Sequence, residues 1–208
     1  GSSDVTYSYF YDFMNRLTKV NGSNTHKMLF TYDSYGRVDS LTNTINGTSY
    51  KNEYDYGDKN VEGEIPGLIY NVKLNGVNQL SYAFDQLARL STRTIATSTP
   101  FTTTYTYLDG SAANSTTTLL ASMTNGTNAA FNYTYDSSGN ILTISEGATL
   151  KASYTYDKMN QLISENNVYS EKSIDYVYDV GGNIVSRTEY ALVNGQRDSK
   201  QKTYTFSY

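Results

Sequence analysis

Few residues in this chain carry chemistry from which a reactive centre could be assembled. His26 is the only histidine, and a catalytic role would need a nucleophile or an acid held beside it. The surrounding sequence offers no such partner, so His26 reads as a solvated strand residue just past Asn21-Gly22. The acidic stretch DYGDKNVEGE, residues 55–64, sets Asp58, Asn60, Glu62 and Gly63 at the spacing of the first half of a calcium loop. That loop needs an acidic ligand at its twelfth position, where Ile69 stands, so the stretch reads as a solvated insertion and no metal ligand is assigned. Paired carboxylates can hydrolyse glycosidic bonds when held about 5 to 9.5 Å apart, yet most acidic residues here fall at turn positions. The expectation is therefore no catalytic residue, no cofactor and no enzyme.

Composition excludes more. The 208 residues carry a net charge of -4 with no basic excess, so the electrostatic footprint of a nucleic-acid binder is missing. No run of 18 apolar residues occurs, so no membrane-spanning helix is expected. Cysteine is absent, which removes disulfides and thiolate metal sites alike. Sequons at Asn21, Asn46, Asn114, Asn125 and Asn132 read as products of an Asn- and Thr-rich composition. Tyrosine dominates the aromatics, 22 against 7 Phe and no Trp, and suits a half-buried sheet face where the ring packs and the hydroxyl reaches a polar partner.

The carboxylates that recur do so inside a repeating unit. YTYDSSGNILTI (133–144) has near-copies in YFYDFMNRLTKV (9–20), FTYDSYGRVDSL (30–41), YTYDKMNQLISE (154–165) and YVYDVGGNIVSR (176–187), and a looser one in YAFDQLARLSTR (82–93). With the motif aspartate as ruler, units are marked by Asp12, Asp33, Asp55, Asp85, the Leu108 register, Asp136, Asp157, Asp179 and Ser207. The short period is about 22 residues, and longer spacings read as the same unit with an enlarged loop. This predicts one array over residues 1–208, with units starting near 9, 30, 52, 82, 105, 133, 154, 176 and 204. Residues 94–122 are degenerate, either a degraded repeat or an exposed loop. The opening GSSDV reads as a cloning scar and the closing YTFSY as the start of another copy, so the expectation is a piece of a longer array.

Each unit holds two turns. Asp33 to Gly36, Asp136 to Gly139 and Asp179 to Gly182 share D-x-x-G, while Asp12 to Asn15 and Asp157 to Asn160 put asparagine in the glycine place. Aspartate at the first position accepts hydrogen bonds from backbone amides just downstream, and Gly or Asn at the fourth tolerates positive φ. Together they predict a type I turn closed by a left-handed bulge residue. Asp85 leads to Ala88 instead, which predicts a strained or differently shaped turn. The second turn lies about midway, at Asn21-Gly22, Asn46-Gly47, Asn75-Gly76, Asn125-Gly126 and Asn194-Gly195. Glu146-Gly147 and Asn166-Asn167 stand in equivalent places. Two turns per unit predict an all-β, antiparallel β-meander of repeated hairpins, roughly sixteen strands in all. Val38 and Leu41 are three apart, so either both faces are semi-apolar or a bulge resets the phase.

These units resemble the tyrosine–aspartate (YD) repeat family, also called rearrangement-hotspot (RHS) repeats, whose pattern is roughly Y-x-Y-D-x-x-G-R-L-x-x-[I/V]. The resemblance covers nearly the whole chain, with residues 54–70 and 94–122 degenerate. It implies a meander curving into a spiral shell, as in bacterial toxin complexes, RHS toxins and teneurins, and a secreted or cell-surface location. It also implies a scaffold or encapsulating role. Neighbouring repeats of a longer chain, and an encapsulated polypeptide or glycans, would be the partners. The family's self-cleaving core carries a D-P-x-G type signature, and no Asp-Pro dipeptide occurs here, so neither self-cleavage nor a toxin payload is expected. A second reading is a binding module whose tyrosine-rich face recognises glycans or a protein. Strand-like sequence at both ends, with Lys200 and Lys202 as the only edge protection, predicts self-association through edge strands.

Overall fold

Between the turns, Tyr, Thr, Val and Ile favour extended backbone, and the chain folds accordingly. The computed structural model describes residues 6–22 and 25–208, which hold seventeen β-strands and no helix. GSSDV and Ser23 of the first sequon lie outside the described residues, as does the side chain of Lys200. The chain divides into two compact units, Gly1–Thr103 and Thr104–Tyr208.

In the first unit β1 (Ser8–Tyr11), β2 (Leu17–Asn21), β3 (His26–Tyr32), β4 (Val38–Ile45), β5 (Thr48–Tyr56), β6 (Ile69–Leu74), β7 (Val77–Phe84) and β8 (Leu90–Ile95) pair antiparallel in chain order. Strand β9 (Phe101–Asp109) starts in this unit and ends in the second, where it pairs with β10 (Thr116–Asn125). The second unit continues through β11 (Phe131–Tyr135), β12 (Ile141–Glu146), β13 (Thr149–Tyr156), β14 (Leu162–Asn167), β15 (Lys172–Tyr178), β16 (Ile184–Val193) and β17 (Gln196–Thr205), again antiparallel in chain order. Among the described residues neither meander closes into a barrel. The stretch 94–122 is mainly strand, not an exposed loop.

A bulge sits at the same place in every hairpin that follows an aspartate turn. Tyr32 faces Val38 while Thr31 faces Ser40, leaving Asp39 as the extra residue; Tyr135 with Ile141, Tyr156 with Leu162 and Tyr178 with Ile184 repeat it. One extra residue shifts the pleat by half a period. Val38 therefore lies opposite Tyr32 and Leu41 opposite Phe30, on one shared tyrosine–aliphatic face. The bulge is what resets the phase. The other face is lined by hydroxyl pairs, Thr31 with Ser40 at 2.7 Å and Thr134 with Thr143 at 2.6 Å. Few side chains are fully covered; Val20, Ala152 and Leu192 are the buried apolar residues among those described.

The second turns differ from one another. Asn46-Gly47, Asn75-Gly76 and Asn194-Gly195 have positive φ at both residues, the two-residue hairpin turn whose twist matches the flanking strands. Asn21-Gly22 and Asn125-Gly126 do not share it: Gly22 bonds the His26 carbonyl, and Asn128 bonds the Asn125 carbonyl across a longer loop. Asn166 and Asn167 lie at the end of β14, and the turn follows at 168–171, with Glu171 at φ 53°. There Asn167 caps the loop through its side-chain oxygen instead of forming it.

Candidate functional site

The recurring aspartates build one local structure. In Asp33 to Arg37 the Asp33 N–H donates to the Arg37 carbonyl at 2.9 Å and the Gly36 N–H to the Asp33 carbonyl at 3.0 Å. The Asp33 carboxylate accepts the Tyr35 and Arg37 amides, each at 2.9 Å, and the Arg37 Nε at 2.6 Å. Asp12 and Asp85 repeat this with Arg16 and Arg89, and Asp136 and Asp179 with the amides of Asn140 and Asn183. Asp157 accepts the backbone amides of Met159 and Gln161.

The fourth residue is left-handed throughout: Asn15 at φ 61°, Gly36 at 83°, Gly139 at 87°, Asn160 at 62° and Gly182 at 84°. Ala88 adopts the same shape at 62° with the same backbone bonds, so its turn carries strain without a change of form.

Charge follows from these contacts. The Arg16 amide, and its guanidinium against partial burial, hold the Asp12 carboxyl below the usual carboxylate range. At Asp33 and Asp85 burial pushes upward, but the amide and guanidinium of Arg37 and Arg89 prevail and lower both. Bonds from the Asn140 and Asn183 side chains lower Asp136 and Asp179. These carboxylates are committed acceptors, without a proton to give at neutral pH.

The tyrosine before the turn ties one hairpin to the preceding one. Tyr32 donates its hydroxyl to the Leu17 carbonyl at 2.7 Å, Tyr56 to Val38 at 2.9 Å, Tyr135 to Leu120 at 2.9 Å, Tyr156 to Ile141 at 2.9 Å, Tyr178 to Leu162 at 2.8 Å and Tyr208 to Ile184 at 3.3 Å. In each case the acceptor lies two residues beyond the last registered pair of the two strands; β12 and β13, for example, stop at Thr143 and Ser153. The phenol supplies the donor that the shortened ladder lacks, satisfying an otherwise orphaned carbonyl. Burial pushes the phenols of Tyr56, Tyr135, Tyr156 and Tyr178 up, so they remain donors. Burial, followed by a hydrogen bond to Glu165, pushes Tyr176 up to about 12. Arg16 lies 4.4 Å over the Tyr32 ring and Arg37 4.1 Å over Tyr56, so the turn's cation also packs on the next unit's tyrosine.

The register differs from the aspartate ruler at three units. Gly57, not Asp55, takes the aspartate position, its N–H donating to the Leu68 carbonyl at 2.9 Å. Asp55 stays within β5 and pairs with Lys73 at 2.7 Å. A Cβ at Gly57 would come within 2.4 Å of the Ile65 carbonyl oxygen, because the loop over residues 58–68 folds back onto it, so aspartate cannot stand there. In the next unit Gly110 takes the place, donating to Ser115 at 2.8 Å, and Leu108 is two residues too early. At the last unit Tyr208 holds the tyrosine position, its hydroxyl on the Ile184 carbonyl, so Ser207 is likewise misaligned. Tyr54-x-Tyr56-Gly57 was the available signal, masked by the Tyr-Asp dipeptide at 54–55. The residue four after each aspartate, Arg, Asn or Gln, stands at the arginine place of the repeat pattern.

The residues singled out for chemistry are not brought together. His26 Nε2 lies 2.9 Å from the Asn43 side-chain oxygen on the neighbouring strand. Asp58 accepts the Asn60 amide and side chain at 2.9 and 2.8 Å, and its own N–H donates to Glu64 at 2.8 Å. Beside that loop is a cleft of about 650 Å³ lined by Tyr35, Arg37, Tyr56, Asp58, Lys59 and Asn60. Tyr35 stands 76% exposed at its rim.

No protein-family model matches this chain, and no curated protein matches it. Among solved structures, a chain in the crystal structure of TcdB2-TccC3-Cdc42 aligns with 97% of this chain at 16% identity and a TM-score of 0.64. A chain in the crystal structure of TcdB2-TccC3 aligns with 97% at 14% identity and a TM-score of 0.55. This chain spans 11% and 12% of those chains. The shared feature is the fold, an antiparallel β-meander. No helix among the described residues is long and apolar enough to cross a membrane.

Proposed function

We propose that this chain is a structural segment of a longer tyrosine–aspartate repeat protein of the secreted or cell-surface kind, serving as scaffold or as part of an encapsulating wall, and that it is not an enzyme. The observation that carries this reading is the tyrosine-to-carbonyl bond repeated from hairpin to hairpin. It commits the phenols of Tyr32, Tyr56, Tyr135, Tyr156, Tyr178 and Tyr208 to joining successive hairpins, while the turn amides occupy the motif carboxylates. The small share of the aligned toxin-complex chains that this segment spans supports a piece of a larger wall. Hydrolase assays on the purified chain against glycosides and esters test it: no turnover is expected, and turnover abolished by a single Asp→Asn change at a motif turn would overturn it.

A second reading, a saccharide-binding module, is favoured by the cleft beside Tyr35, whose exposed ring can stack on an apolar sugar face. Glycan-array binding that is lost in Tyr35→Ala while thermal stability is retained would establish that reading over the first.

A further inference from the structure

Asn46-Gly47, Asn75-Gly76 and Asn194-Gly195 look alike in sequence, form the same two-residue turn and are all exposed. Their hydrogen bonds are not alike. The Asn75 side-chain oxygen accepts the Lys51 N–H at 2.8 Å, and the Gly76 N–H donates to the Glu53 carboxylate at 2.8 Å. Glu53 is itself held by Lys51 at 2.8 Å. Among the described residues Asn46 is tied by its backbone N–H to the Thr25 carbonyl at 2.8 Å. Neither its carboxamide nor that of Asn194 has a hydrogen-bond partner among the described residues, and no carboxylate there accepts from the Gly47 or Gly195 amide as Glu53 does from Gly76.

We infer that Asn46 and Asn194 are sites of spontaneous deamidation and isoaspartate formation, and that Asn75 is shielded from the same reaction. The glycine nitrogen gives up its proton to solvent and bonds to Cγ of the asparagine. The bond from Cγ to the asparagine's own Nδ2 breaks, that nitrogen takes a proton from water and leaves as ammonia, and a five-membered succinimide remains. Water then adds to one of the two ring carbonyls, and opening yields aspartate or isoaspartate; no electron donor or acceptor is involved. Glycine after the asparagine leaves the attacking nitrogen unhindered. At Asn46 and Asn194 only the turn itself must open for attack. At Asn75 the carboxamide must also leave Lys51, and the nitrogen must lose a proton that a carboxylate already holds, building negative charge beside negative charge. Isoaspartate adds a methylene to the backbone of a turn whose two residues leave no slack, so the modification weakens pairing at the ends of β4–β5 and β16–β17.

The test is peptide mapping by mass spectrometry of the whole chain, incubated at mildly alkaline pH, folded and in denaturant. In the folded protein Asn46 and Asn194 should convert about tenfold or more faster than Asn75, the factor held back by one hydrogen bond to a charged group. In denaturant the three rates should converge. Glu53→Gln should accelerate Asn75 and leave Asn194 unchanged. Equal rates in the folded chain, a difference that persists in denaturant, or an Asn75 indifferent to Glu53→Gln would overturn the inference.

Discussion

The Tyr156 hydroxyl donates to the Ile141 backbone carbonyl at 2.9 Å, joining the last residue of β13 to the first residue of β12. The bond forms where the β12–β13 ladder has already stopped, so it joins the turn ends of two successive aspartate hairpins. Phe84 shows what happens without the hydroxyl: its ring packs edge-on against Tyr70, with centroids 5.3 Å apart. Van der Waals contact there replaces a polar tie.

Turn chemistry gives the first prediction. Gly139→Val places a β-branched residue at φ +87° and should destabilise the second unit by about 1–3 kcal/mol. Ser137→Ala, in the same turn, should stay within about 0.5 kcal/mol of neutral. Ala88→Gly should stabilise the first unit by about 1 kcal/mol, since alanine now occupies a left-handed conformation that glycine adopts freely. Urea titration reads all three. Equal effects of Gly139→Val and Ser137→Ala would contradict the turn geometry.

Acid should weaken the fold through the same turns. Asp12, Asp33, Asp85, Asp136 and Asp179 all have carboxyls lowered by the bonds they accept. A lowered group contributes stability that is present above its unfolded value, about 3.9, and lost as pH falls through the lower folded value. The urea midpoint should therefore drop from about pH 4 downward, and Asp33→Asn should make that drop shallower. A midpoint indifferent to pH in this window would contradict it.

How much of this was legible in the sequence depends on how local the cause is. Asp33 and Gly36 fix their turn within four residues, so its type and place can be read directly, whereas Asn-Gly forms the two-residue turn at Asn46 and not at Asn125, where the flanking strands decide. The bulge at Asp39 shows only as the three-residue step from Val38 to Leu41. The unit at Gly57 cannot be read from a ruler, because the reason for glycine there is a carbonyl at Ile65 brought back by a loop. The tie from Tyr156 to Ile141 depends on where a neighbouring ladder ends, which no spacing within the motif encodes.

Edge strands give a further prediction. All four residues of β1 are exposed, with Tyr9 and Tyr11 each at 57%, and β2 is the strand with which β1 has a register. A strand with unpaired backbone groups templates pairing with another chain. Light scattering should show mass rising with concentration, and Tyr9→Lys, or a proline placed in residues 204–208, should suppress it. A protein monomeric at every concentration would contradict this.

The central claim is that the motif tyrosines act as structural ties between hairpins, and removal of single hydroxyls tests it most directly. Urea unfolding of Tyr156→Phe and Tyr178→Phe should each show a loss of about 0.5–1.5 kcal/mol, the net worth of one hydrogen bond. Tyr35→Phe, whose ring is exposed at the cleft, should lie within about 0.5 kcal/mol of the parent. If all three substitutions leave stability unchanged, or Tyr35→Phe costs as much as the other two, the tyrosines are not the ties described.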